Sequence, residues 1–196
     1  KKQSIMTDVD IQFQKIDKII ADINFFKIDP DFSNEIENRN LRSAPKELTD
    51  EKLLEVFTTL IAFSGQAPSN KVKDALNSGI FNVMFNQFNV EQVALMNPCD
   101  LVDTYWDKVS PIRYQTKLFQ IVMFARRIRR IGSLSSLLSN SQIPIRLHTR
   151  NDIDRFWNGF DILQTSLKTF KVSYLKETTT LLHYLLDTGF DCVKPD

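Results

Sequence analysis

The densest chemical feature of the sequence is basic: Arg126-Arg127-Ile128-Arg129-Arg130, with Arg113 and Lys117 upstream and Arg146 and Arg150 downstream. Guanidinium groups packed this closely can follow the phosphates of a nucleic-acid backbone through charge-assisted hydrogen bonds. The same run also suits the end of a long helix, where cations offset the negative end of the macrodipole. Because only part of a helix faces a ligand, at most two of these four arginines are expected to touch DNA. Other reactive side chains are sparse. Cys99 and Cys192 lack Cys or His neighbours at ligand spacing, so neither a metal site nor a disulfide framework is expected. Both read as small buried thiols in a reducing compartment. His148 is isolated, and His183 by itself reads as a hydrogen-bonded structural histidine. Lys194-Pro195-Asp196 reads, on residue chemistry alone, as a turn whose Asp caps a following helix.

Composition narrows the field further. The 196 residues include 25 Lys plus Arg and 24 Asp plus Glu, a net charge of +1 that excludes a polycationic coat but leaves room for a local patch. Through residue 60 there are 12 acidic and nine basic residues; from residue 61 onward there are 16 basic and 12 acidic. With only five glycines, the chain has few places for phosphate-cradling loops, and neither a Rossmann nor a P-loop fingerprint occurs. No apolar run approaches the roughly 18 residues of a membrane span, and the Lys1-Lys2 start lacks a signal peptide's apolar stretch.

The elements that must position these residues all read as helices. Apolar residues at three and four spacing mark a helix over 11–26, followed by a polar surface connection over 32–47. Asp50 is expected to cap an almost wholly apolar helix through Phe63, which belongs at the centre of the fold. Ser69 is expected to cap the next. Further helices are expected within 80–88, from 90, over 101–106, over 112–131 with Tyr114 on the buried side, and over 134–138. The last three are expected over 152–160, 162–170 and 178–188. Nothing asks for a sheet, and no heptad persists, so the expected class is all-α, an orthogonal multi-helix domain of about ten helices.

The C-terminal segment, Phe170-Lys171-Val172-Ser173-Tyr174-Leu175-Lys176-Glu177 followed by a helix ending near Gly189 and then Lys194-Pro195-Asp196, resembles the helix-hairpin-helix DNA glycosylase superfamily. Laid over this chain without a gap, the family's two hairpin glycines fall on Tyr174 and Lys176, its apolar position on Leu175 and its helix-ending glycine on Gly189. Its catalytic Asp falls on Asp196. Upstream, Leu60 to Gln66 is similar to an early core helix ending in a Ser-x-Gln element. Phe88, Val93, Ala94, Asp100, Leu101, Arg113 and Lys117 match the alkyladenine branch. The resemblance covers roughly residues 50–196, with a degenerate hairpin.

What the resemblance implies is specific. The Asp196 carboxylate would stabilise positive charge on the sugar as an N-glycosidic bond breaks, and orient an attacking water. The Schiff-base lysine of bifunctional members falls on Thr178, so a monofunctional glycosylase without cofactor is expected. Gln66 would probe the base pair; Trp106 and Trp157 are expected as pocket residues for a flipped base, with Tyr105 and Phe160 as further candidates. Tyr174, Lys176, Arg113, Lys117 and the arginines at 126, 127, 129 and 130 would meet the DNA backbone. A bacterial glycosylase-like subgroup carries His at the position of His183 and the same Lys-Pro-Asp ending, and some members act in defence against phage with modified DNA. A bulky modified pyrimidine therefore stands beside an alkylated purine as substrate. The expected domains are 1–48, a helix and connection packing on the main domain or meeting a protein partner, and 49–196, truncated at its C-terminus. The partner is double-stranded DNA, with no membrane; a monomer in the bacterial cytoplasm or nucleoid is expected. The alternatives are a non-catalytic DNA-binding module and a helical protein-interaction adaptor.

Overall fold

The computed structural model describes residues 14, 15, 17–19, 21, 22 and 48–192, and among them all regular structure is helical. The chain divides into two compact units, Lys1–Ser43 and Ala44–Asp196. In the first, the described residues between 14 and 22 are helical, inside the stretch whose periodicity predicts a helix. The 32–47 connection lies outside the described residues, as does Asp196.

The second unit is built around α1 (Asp50–Phe63), which buries Leu53, Leu54, Phe57, Leu60 and Ile61. Its cap is Thr49, in extended conformation, whose side chain accepts from the Lys52 amide at 3.2 Å. Asp50, expected as the cap, instead accepts from the Ser135 amide at 2.7 Å and so caps a different helix. Two short helices follow, α2 (Ser69–Asn77) and α3 (Ile80–Met84). Pro68 occupies the cap position of α2 and leaves Ser69 inside the helix without a capping bond. Asn86, Gln87 and Phe88 then adopt successive left-handed conformations. That is costly for non-glycine residues and is offset here by burial of the Phe88 ring. Next come α4 (Val90–Leu95) and α5 (Pro98–Val109), both N-capped by asparagine.

The long basic helix, α6 (Thr116–Ile131), begins later than periodicity predicts. A 3₁₀ turn over Ser110–Ile112 and a left-handed Arg113 intervene, and Tyr114 consequently faces outward at 48% exposure. α6 buries Leu118, Ile121, Val122, Phe124, Ala125 and Ile128 against α1 and α4. α7 (Leu134–Asn140) leads to α8 (Arg150–Thr169), opened by a capping box between Thr149 and Asp152. The residues 152–170, expected to form two helices, make one. Gly159 does not break it; a Cβ there would stand 2.5 Å from the Ser141 carbonyl oxygen, so glycine lets α8 close on the 141–143 backbone. The last helix is α9 (Thr178–Asp187).

An aromatic column joins these parts. Phe57 stacks on Phe124 at 3.7 Å between ring centroids, and Tyr184 and Tyr174 meet that pair edge-on. The buried Tyr184 hydroxyl donates to the Leu53 carbonyl at 2.8 Å, tying α9 to α1. Behind α9, Asp191 is held by Arg146 at 2.7 Å and by the Leu147 amide at 3.2 Å, which docks the chain after α9 onto the 145–147 strip.

Candidate nucleic-acid interface

The centre of the candidate interface is the turn that ends α1. Ser64 leaves the helix, and Gly65 and Gln66 follow in the left-handed region at φ +63° and +57°. Glycine takes that conformation freely; for glutamine it costs about 1–2 kcal/mol. Three residues pin the turn from behind. The Lys117 ammonium donates to the Ala62 and Ser64 carbonyls at 3.0 and 2.7 Å. The Arg113 guanidinium donates to the Gln66 carbonyl at 3.0 Å and lies 3.5 Å from that of Gly65. Both cations thus sit where α1 presents its unsatisfied carbonyls and its negative dipole end. Tyr114 stands between them, its ring centroid 5.8 Å from each. A Cβ on Gly65 would come within 3.2 Å of this ring, so the turn is packed as well as bonded.

A fourth residue arrives from the C-terminal segment. Tyr174 comes near Ser64, and burial pushes its phenol above its usual pKa although the Ser64 side chain acts in the opposite direction. Lys117 is almost wholly buried, and loss of water together with the neighbouring Arg113 lowers its pKa to about 8. The Gln66 side chain itself is exposed. The result is a protruding amide on a turn whose backbone is clamped by side chains from two other parts of the chain.

Four residues singled out from sequence, Gln66, Arg113, Lys117 and Tyr174, are therefore brought together, though not in the roles expected of all four. Lys117 is 3% exposed and spent on protein carbonyls, so it positions the turn and does not present its charge to a surface ligand. Arg113 divides its guanidinium between the same turn and open solvent. The α8–α9 connection, residues 170–177, carries Tyr174 and Lys176. Its start is set by Lys171, left-handed at φ +57°, with the Val172 amide bonding back to the Leu167 carbonyl at 2.9 Å. Among the described residues, no carbonyl accepts from the amides of Ser173, Tyr174, Leu175 or Lys176. Lys176 is exposed and lies 3.6 Å from Glu177.

The arginine run is divided by its helix. Arg126 caps α4, donating to the Ala94 and Met96 carbonyls at 2.9 Å each, and Arg129 pairs with Glu91 at 2.9 Å. Arg127 and Arg130 have no ion pair among the described residues, leaving two of the four for a ligand. Trp157 is 46% exposed on α8 beside Phe156 and Phe160, while Trp106 is half-buried against the core. His183 lies 3.4 Å from Asp187, one turn along α9. No ring contact or hydrogen bond ties these three to the Gln66 turn.

The sequence alone assigns no site role to Tyr114, Phe119, Met123 or Lys171. Arg113-Tyr114-x-x-Lys117, an aromatic between two cations, was the available signal for the first. Phe119 and Met123, four apart and opposite the buried stripe of α6, mark a second exposed face. The thiols also differ from expectation: Cys99 is exposed, and Cys192 is half-buried, donating to the Leu182 carbonyl, with burial and nearby Asp191 and Asp187 pushing its pKa up to about 12. Among the described residues no group of three His, Cys, Asp or Glu could hold a metal ion, and no helix is long and apolar enough to cross a membrane. No protein-family model, curated protein or solved structure matches the chain.

Proposed function

We propose that the chain binds duplex DNA and acts as a monofunctional DNA glycosylase, with Gln66 probing the base pair and Asp196 supplying the carboxylate at the scissile bond. The observation that carries this reading is the clamped turn. A side chain that enters a base stack must not recoil: Arg113 holds the Gln66 carbonyl, Lys117 holds the Ser64 carbonyl two residues before it, and Gln66 itself stays exposed to solvent. Its amide can both donate to and accept from a base edge. The exposed Lys176 ammonium on the connection that carries Tyr174 would take a backbone phosphate without reading sequence.

Base release separates this reading from a binding module on the same fold. The longest available form of the protein is incubated with duplexes carrying alkylated, deaminated, oxidised or glucosylated bases, and any freed base is identified by mass. Asp196→Asn is expected to abolish release and to keep duplex affinity within about twofold, because the carboxylate acts on the transition state. Gln66→Gly, which relieves the left-handed strain, is expected to fold at least as stably and to release base at least tenfold more slowly. Undiminished release from Asp196→Asn sinks the assignment of Asp196.

A further inference from the structure

Beside the clamped turn, α6 and the start of the 170–177 connection enclose an open groove of about 430 Å³. That is within the range of roughly 300–1,000 Å³ typical of small-molecule sites. Its floor is the Phe57–Phe124 stack, and its walls are Phe119, Met123 and Tyr174. Phe119 is 37% exposed and Met123 41%, so these apolar side chains stand in water. The rim is cationic: Arg127 on α6 and Lys171 on the connection both line it, neither has an ion pair among the described residues, and no acidic residue lines the groove. Gln120 and Ser173 complete the polar lining. An occupant must therefore combine a flat or apolar body with negative charge at its edge.

We infer that this groove is a binding site for an unpaired nucleotide of single-stranded nucleic acid, its base against Phe119, Met123 and Tyr174 and its phosphate between Arg127 and Lys171. Aromatic walls with a cationic rim hold single strands because every base has a stacking face and every linkage a charge. A paired base keeps its faces within the stack and cannot enter. This goes beyond duplex recognition by the Gln66 turn and requires neither Asp196 nor base excision.

Lys171 makes the test clean. It occupies a left-handed position that glycine prefers, so Lys171→Gly removes the charge without straining the fold. Fluorescein-labelled oligothymidylate of eight nucleotides and an abasic octamer of equal charge are titrated against the full-length protein, followed by anisotropy. The wild type is expected to bind the thymidylate at least tenfold more tightly than the abasic strand. Lys171→Gly combined with Arg127→Gln should weaken thymidylate binding at least tenfold while leaving the melting temperature in place. Phe119→Ser should abolish the preference for bases over abasic sites. Equal binding of the two octamers, no binding of either, or unchanged binding by the double variant overturns the inference. Displacement of bound thymidylate by an acidic amphipathic peptide but not by unlabelled thymidylate reassigns the groove to a protein and overturns it too. A chain that releases base from duplexes yet ignores the octamer loses only the groove; one that binds the octamer yet releases no base loses only the excision reading.

Discussion

Lys117 is a cation in the first turn of a long helix whose charge is spent inside the protein. Its charge and spacing mark it as a cation near a helix start, which is also how a phosphate-binding lysine looks in sequence. Only the packing of α6 against α1 turns the ammonium inward, onto the Ala62 and Ser64 carbonyls. Burial and Arg113 then lower its pKa from 10.5 to about 8. The sign of the consequence is fixed. Between those two values the unfolded chain holds a proton that folded Lys117 has released, so this residue makes stability rise as pH rises through the window. Comparing denaturant midpoints of wild type and Lys117→Met from pH ~7.5 to ~10.5 should show a wild-type excess growing by on the order of 1 kcal/mol. Parallel curves would mean that the ammonium is not buried in solution.

At the scale of elements, periodicity located most helices, and the errors cluster where a tertiary contact overrides a local signal. Gly159 sits in the middle of α8, where glycine ordinarily weakens a helix, and the apolar pattern falters around it. The reason it belongs there is the neighbouring chain: the position of a Cβ would lie 2.5 Å from the Ser141 oxygen and 2.8 Å from Ile143 Cγ1. Gly159→Ala, a stabilising change in an isolated helix, is therefore expected to destabilise this protein by about 2 kcal/mol, read from thermal or urea unfolding. A rise in stability would show that α8 does not close on the 141–143 backbone. Arg113 is the second case. Periodicity runs a helix straight through it, yet its left-handed backbone starts α6 three residues later and aims Tyr114 at the Gly65 turn.

For the molecule as a whole, the near-neutral charge is less informative than where cations remain available. Of the arginines in the basic run, Arg126 and Arg129 hold other helices, and Lys117 is inside. On the face formed by α6 and the 170–177 connection, the cations left for a nucleic acid are Arg127, Arg130, Lys171 and Lys176, the last lying 3.6 Å from Glu177. Binding to duplex DNA should accordingly be moderate in its salt dependence. An interface closing on about three phosphates has a log–log slope of about −2.7, a loss of roughly 40-fold between ~50 and ~200 mM salt. Anisotropy titrations across that range give the slope directly. A slope near zero would favour a protein-binding adaptor, and one steeper than about −6 would require phosphate contacts from residues outside this set.

The sequence by itself determined that the chain is helical, because helical periodicity and caps are local and act within a few residues of one another. It also marks Gln66, Arg113, Lys117 and Tyr174 as chemically able to meet a nucleic acid, through an amide, two cations and a phenol. The tertiary structure decided which of them share a site and which way each charge points. Both depend on partners 47 to 55 residues away along the chain, as with Arg113 on Gln66 and Lys117 on Ala62. The groove was decided by tertiary structure too, because Phe119 and Lys171 become one surface only when the connection after α8 folds back across α6.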